Sequence, residues 1–177
     1  MTGVSEAAAE SRSARNLILQ QGIAAPPRGA PCGRLSSALV FQPRIVGLAA
    51  LAGVVLQAPA IFAALAVVLW WCAFLPGLNP FDAIYNATFG ARPGGVRLQA
   101  APAPRRFAQG MAASFMTAIA LCLAAGALTS AWILEGFMLV AVTAIALGRL
   151  CLGSFVYYLL TGRAAYAVRT LPWGPGD

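Results

Sequence analysis

The chain has 177 residues, 60% hydrophobic and only 10% charged, with twelve arginines, no lysine, five acidic residues and a net charge of +7. A water-soluble domain carries about 25% charged residues, so this composition excludes an ordinary soluble globule. The absence of histidine removes the commonest ligand of zinc, copper and haem iron, and the usual proton shuttle near neutral pH.

Residues 5–21 read as a short surface helix. Ser5 caps it, Glu6 and Glu10 sit near its positive end, Arg12 and Arg15 follow, and Ala14, Leu17 and Ile18 form a narrow apolar face before Gly22 ends it. Residues 22–34 are a Pro/Gly linker, so residues 1–40 form a polar arm ahead of the apolar blocks. No signal peptide is expected, because the first 34 residues hold six charges and no long apolar core.

The transmembrane domain is expected over residues 41–161, with spans at about 43–57, 60–75, 107–128 and 137–160. A span needs roughly 20 mainly apolar residues to cross about 30 Å of hydrocarbon. The first apolar block opens at Gln42-Pro43-Arg44 and breaks at Gln57-Ala58-Pro59. Proline disfavours helix at the residue before it, so the block predicts two short spans joined by a tight turn. Trp70 and Trp71 suit an interfacial anchor.

Residues 76–106 form the main loop, with a short amphipathic piece at Ala83–Phe89. In the third span Gly110, Ser114, Ala118, Cys122 and Gly126 recur every four positions, a small-residue stripe of the kind that lets helices approach closely. Thr129–Gly136 reads as a turn carrying Glu135. One continuous helix then follows to Leu160, and residues 162–177 form a tail anchored by Leu171-Pro172-Trp173.

Five arginines precede the first span, four lie in the main loop, two follow the last span, and the two short turns carry none. The positive-inside rule therefore places both termini and the main loop in the cytoplasm. The expected fold class is an all-α membrane protein of four helices in two hairpins. The arginines flank apolar blocks, which fits orientation and anionic lipid headgroups and argues against nucleic acid.

Arg149 is the one charge within a predicted span, a candidate either for a snorkelling lipid contact or for an ion pair with Asp82. Cys32, Cys72, Cys122 and Cys151 are widely spaced with no CxxC, which suggests neither a disulfide framework nor a zinc site. No Ser-His-Asp, Cys-His or paired-carboxylate set can be assembled, so no enzyme and no cofactor is expected.

Three segments together resemble a bacterial family of integral membrane proteins known as domain of unknown function 4395. They are Asn79-Pro80-Phe81 with Tyr85, Ala103-Pro104-Arg105-Arg106-Phe107-Ala108-Gln109, and Cys151-Leu152-Gly153-Ser154-Phe155-Val156-Tyr157. The resemblance covers about residues 41–160 and implies a multi-pass protein of the bacterial inner membrane. That family typically shows a C-x-G-C pair, which suits thiol or sulfur chemistry. Here Cys151 and Gly153 match it while Ser154 replaces the second cysteine, and a dithiol needs both sulfurs.

The leading expectation is a non-catalytic accessory or scaffold subunit of a larger membrane complex, energy-transducing in a photosynthetic or respiratory sense. Its partners would be other membrane subunits and anionic lipids, with peripheral pigment or lipid contacts. The alternatives are a thiol- or sulfur-handling membrane protein using Cys151, and a small transporter.

Overall fold

The computed structural model describes residues 12–24 and 32–176, and all regular structure among them is helical. The expected cap Ser5, the acidic residues Glu6 and Glu10 near the expected helix start, and Arg28 of the linker lie outside the described residues.

Residues 12–20 form α1, which closes at Gly22 with φ +76°. Helix α2 (Gly33–Leu39) runs through Val40 into α3 (Phe41–Leu56), and Val40 keeps helical angles, so the two act as one 24-residue apolar rod. Gln57 adopts the left-handed conformation at φ 47° and reverses the chain. Helix α4 (Pro59–Phe74) begins with proline in its first turn, where a missing N–H costs nothing. A short 3-10 turn, Pro76–Leu78, leads to α5 (Pro80–Thr88), whose cap Asn79 accepts from the N–H groups of Phe81 and Asp82. After an extended loop come α6 (Ala103–Ala124), α7 (Leu128–Ala146), α8 (Leu152–Leu160) and α9 (Ala164–Arg169).

Three of these rods are long and apolar enough to cross a membrane: Gly33–Leu56, Ala103–Ala124 and Leu128–Ala146. The protein is accordingly a helical membrane protein. At 16 residues α4 is shorter, about 24 Å at 1.5 Å per residue. It carries no charge and packs along α6, where Gly110 faces Trp70 and Ala73 and Trp70 Nε1 donates to Thr117 Oγ1 at 3.4 Å. Val46, Ala50, Phe62, Leu69, Met116, Ile119 and Met138 fill the space between α3, α4, α6 and α7. Gly47 lets α3 meet Val142 of α7 where no Cβ would fit.

Two expectations about the second hairpin are corrected. The chain turns at Ala125–Ala127, with Gly126 at φ +72° ending α6, so Thr129–Gly136 is already helix. The rod expected over 137–160 is also broken. α7 ends at Ala146, Arg149 takes the left-handed conformation at φ 54°, and α8 starts afresh after Cys151. Gly148 makes the break possible, since a Cβ there would stand 2.7 Å from the Ala144 carbonyl oxygen.

The described part of the N-terminal arm folds back on its own chain. Ala14, Leu17 and Ile18 are buried, as an apolar face requires, against α2, Val40 and Cys151. Asn16 Nδ2 donates to the Leu171 and Gly174 carbonyls, and Gln20 Nε2 to that of Thr170. The arm, the starts of α6 and α8, and the tail thus gather at one end of the bundle.

Candidate functional site

Five polar side chains, from α3, from α5 with its cap and from α6, meet inside that end. Arg105, in the first turn of α6, makes a two-pronged ion pair with Asp82 of α5: Nη2 to Oδ1 at 2.6 Å and Nη1 to Oδ2 at 2.9 Å. Both groups are almost fully buried. Such a pair survives burial only when its remaining donors and acceptors are also engaged. Gln42 of α3 supplies this. Its Oε1 accepts from Arg105 Nη2 at 3.3 Å, Asn79 Nδ2 at 3.3 Å and Gln109 Nε2 at 2.9 Å.

Each amide in this knot has a fixed orientation. Asn79 spends its oxygen on the α5 cap, so its nitrogen must face Gln42. Arginine is only ever a donor. Gln42 therefore presents its oxygen, and Gln109 must meet it with nitrogen. The consequence is that Gln109 Oε1 points elsewhere, buried and without a hydrogen-bond partner among the described residues.

Gln109 also lines a cavity of about 140 Å³ between α3, α6, α7 and the start of α8. Its polar lining is Gln21, Gln42, Arg105, Gln109 and Cys151, and the rest of its wall is apolar, including Phe115, Phe137 and Val142. Cys151 caps α8, with its N–H held by Gln20 Oε1 at 2.8 Å and its sulfur accepting from Ser154 Oγ at 3.2 Å. Gly153 lies against Ala108 of α6. The motif segment Cys151-Leu152-Gly153 is thus both a wall of the cavity and the seat of α8 on α6. An apolar hole with a few placed polar groups at one end is the usual form of a small-molecule site.

The residues singled out in the sequence fall in different places. Asp82 pairs with Arg105 and not with Arg149, whose Nη1 donates to Ser13 Oγ of α1 at 3.1 Å. Loop closure, not helix register, decides this: α5 lies beside the start of α6, while the break after Ala146 turns Arg149 toward the arm. In the small-residue stripe Gly110 faces α4, Ala118 and Cys122 are half-buried, and Ser114 and Gly126 are exposed. Each four-residue step advances about 40° around a helix of 3.6 residues per turn, so the stripe winds across α6. Its buried face runs instead through Arg105, Gln109, Ala113, Met116 and Ala120.

Sequence reasoning missed Gln42, Gln109 and Glu135. Glu135 is buried within α7, where Gln57 Nε2 donates to its carboxylate at 3.2 and 3.3 Å and Trp132 Nε1 donates back to Gln57 Oε1 at 3.1 Å. The available signal was the four-residue spacing of Arg105 and Gln109, polar groups stacked on one helix face.

No curated protein and no solved structure matches the chain. The profile of one protein family, described as a domain of unknown function (DUF4395), matches residues 37–161. That stretch holds the ion pair, every residue of the cavity lining except Gln21, and the Cys151 motif, and it covers well over half of the sequence. The chain belongs to the DUF4395 family.

Proposed function

We propose that this protein crosses the bacterial inner membrane four times, keeps both termini in the cytoplasm, and serves as a non-catalytic accessory subunit of a larger membrane complex. The arginine distribution supports the orientation, since the arm, the main loop and the tail that carry those charges lie at one end of the bundle. α4 then counts as a short fourth span, accommodated by modest thinning of the bilayer.

The observation that carries the subunit reading is the polarity of α5. A surface helix in water buries its apolar face. α5 departs from this in part: Phe81 and Tyr85 pack against the apolar clusters and Asp82 is buried beside them, while Ala83, Ile84 and Ala87 are left exposed. Such a helix needs an apolar neighbour at the headgroup level, and a flanking subunit supplies one. Extracted from its native membrane in mild detergent, the protein is expected to migrate in an assembly much larger than the single chain. Ile84→Arg should release it. Migration of the unaltered protein solely as a free chain would sink this reading.

A second reading, thiol or sulfur handling, is favoured by one geometric fact: Cys151 and Ser154 retain the close approach that a cysteine pair would need, 3.2 Å between sulfur and hydroxyl. Ser154→Cys should therefore form an intramolecular disulfide with Cys151 under mild oxidation, seen as the loss of two hydrogens in the intact mass. If the variant stays fully reduced while folded, the site is not shaped for paired thiols.

A further inference from the structure

We infer that the cavity between α3, α6, α7 and the start of α8 takes a neutral, lipid-soluble molecule by its carbonyl oxygen, with the side-chain amides of Gln42 and Gln21 as the donors. This inference does not depend on the subunit reading, because it concerns the bundle interior and not its outer surface.

The knot fixes the first donor. Gln42 Oε1 accepts from Asn79, Arg105 and Gln109, so Gln42 Nε2 faces away from them, and it donates to no described residue. Among the described residues, the side-chain atoms that are unpaired and also sealed from any water-sized neighbour are Asn16 Oδ1 and Gln109 Oε1. Gln109 Oε1 is therefore out of reach of anything in the cavity. Gln42 Nε2 is unpaired without being sealed, and the space that buried Gln42 lines is the cavity. Gln21 of the arm is placed in the same way. It is buried, it lines the cavity, and its amide bonds no described residue and is not sealed. Against these two amide nitrogens stand the Gln21 oxygen and the Cys151 sulfur, and the sulfur already accepts from Ser154. Arg105 has its charge matched by Asp82, so an anion gains little there. The polar end is thus richer in donors than in acceptors, and leaving buried donors unpaired is unfavourable. A carbonyl oxygen has two lone pairs and no proton to place. Size and access agree. The cavity is about 140 Å³, and an apolar protein cavity of about 150 Å³ accommodates benzene. Phe137 belongs to its wall and is 63% exposed on the outer face of α7, so a molecule dissolved in the hydrocarbon would enter from the side.

The Cys151 thiol in the same wall supplies a reporter. Purified protein in mild detergent is treated with a small membrane-permeant maleimide, and labelling of Cys151 is followed by peptide mass spectrometry. The probes are cyclohexanone, methylenecyclohexane, in which a CH2 group replaces the carbonyl oxygen, and cyclohexanecarboxylate. Their concentrations in the micelles are measured by chromatography, so that unequal partitioning does not enter the comparison. Cyclohexanone should slow labelling at a micellar concentration about ten-fold lower than methylenecyclohexane, the fold-change corresponding to one buried hydrogen bond of about 1.4 kcal/mol. Gln42→Glu keeps the oxygen that the knot uses and removes the donor, and Gln21→Met removes an amide that no described residue uses. The preference for the ketone should shrink in both, and loss in one alone would assign the bond to that amide. Ala141→Phe, which fills the cavity from α7, should remove protection by every probe. Equal protection by ketone and alkene in the unaltered protein would overturn the proposal, because the amides would then be serving a fixed water. A carboxylate that protects better than the ketone would overturn it in favour of an anion site. A ketone preference retained in both glutamine variants, or protection that persists in Ala141→Phe, would overturn it too. If Gln42→Glu does not fold, the probe comparison in the unaltered protein and Ala141→Phe still decide the matter.

Discussion

Replacing Arg105 with methionine is expected to destabilise the protein by about 3–5 kcal/mol, the usual cost of removing one partner from a buried ion pair. The size follows from what stays behind. Asp82 is 7% exposed and takes both of its arginine bonds from the same guanidinium. Without Arg105 its carboxylate would sit in the protein interior with no cation opposite. Gln42 would at the same time lose one of three donors. The double change Asp82→Leu with Arg105→Met should recover most of the loss, since well-packed apolar replacements for a buried pair are often neutral or better. Arg105→Lys should fall between, because an ammonium cannot reproduce the planar two-pronged bond. Reversible unfolding in mixed detergent micelles, followed by far-UV circular dichroism, gives the comparison. A cost below about 1 kcal/mol for Arg105→Met would show the pair to be solvated in practice.

The ion pair also marks the boundary between what sequence pattern conveys and what it does not. The break at Gln57-Ala58-Pro59 is visible because a polar residue and a proline interrupt an otherwise uninterrupted apolar run. Charge asymmetry is visible for the same reason: it is a property of position along the chain. The break after Ala146 is not visible in this way. Its flanks, Thr143-Ala144-Ile145-Ala146-Leu147 and Leu150-Cys151-Leu152, are apolar on both sides, so hydropathy runs smoothly through a point where the backbone reverses hand. Only Gly148-Arg149 hints at it, and glycine is common within membrane helices.

Pairing is harder still. Arg105 reads equally well as one of a run of arginines that orient the chain, and Asp82 reads as a loop residue. Their meeting depends on how α5 folds back on α6 across 23 positions. Asn79 is the partial exception. An Asn-Pro at the head of a short helix predicts a cap, and that cap is what fixes the Asn79 amide and, through Gln42, the direction in which Gln109 points. The cavity therefore has a sequence signature only in retrospect: a capping asparagine, a buried glutamine four residues after a buried arginine, and a glycine two residues after Cys151.

That glycine is the subject of the sharpest test. Gly153→Ala is expected to cost about 1–3 kcal/mol, and Gly153→Val more. An added Cβ at Gly153 would stand 2.6 Å from both Cα and Cβ of Ala108. Backbone cannot move aside as a flexible side chain can, so α8 must lift from α6. The sign of the effect is informative, because glycine to alanine in a helix would on intrinsic propensity gain up to about 1 kcal/mol. A loss measured against that gain isolates the helix contact. Ala108→Gly should rescue part of the Gly153→Ala defect by removing the Cβ clash, and only part, since the Cα clash remains. Lifting α8 would also carry Cys151 away from Gln20 and from the cavity wall. Maleimide labelling of Cys151 should then accelerate along with the loss of stability. If Gly153→Ala folds with unaltered stability and unaltered labelling, α8 is not seated through this glycine. The shape of the cavity would then have to be set by the Gln42 knot and the Gly47 contact with Val142 alone.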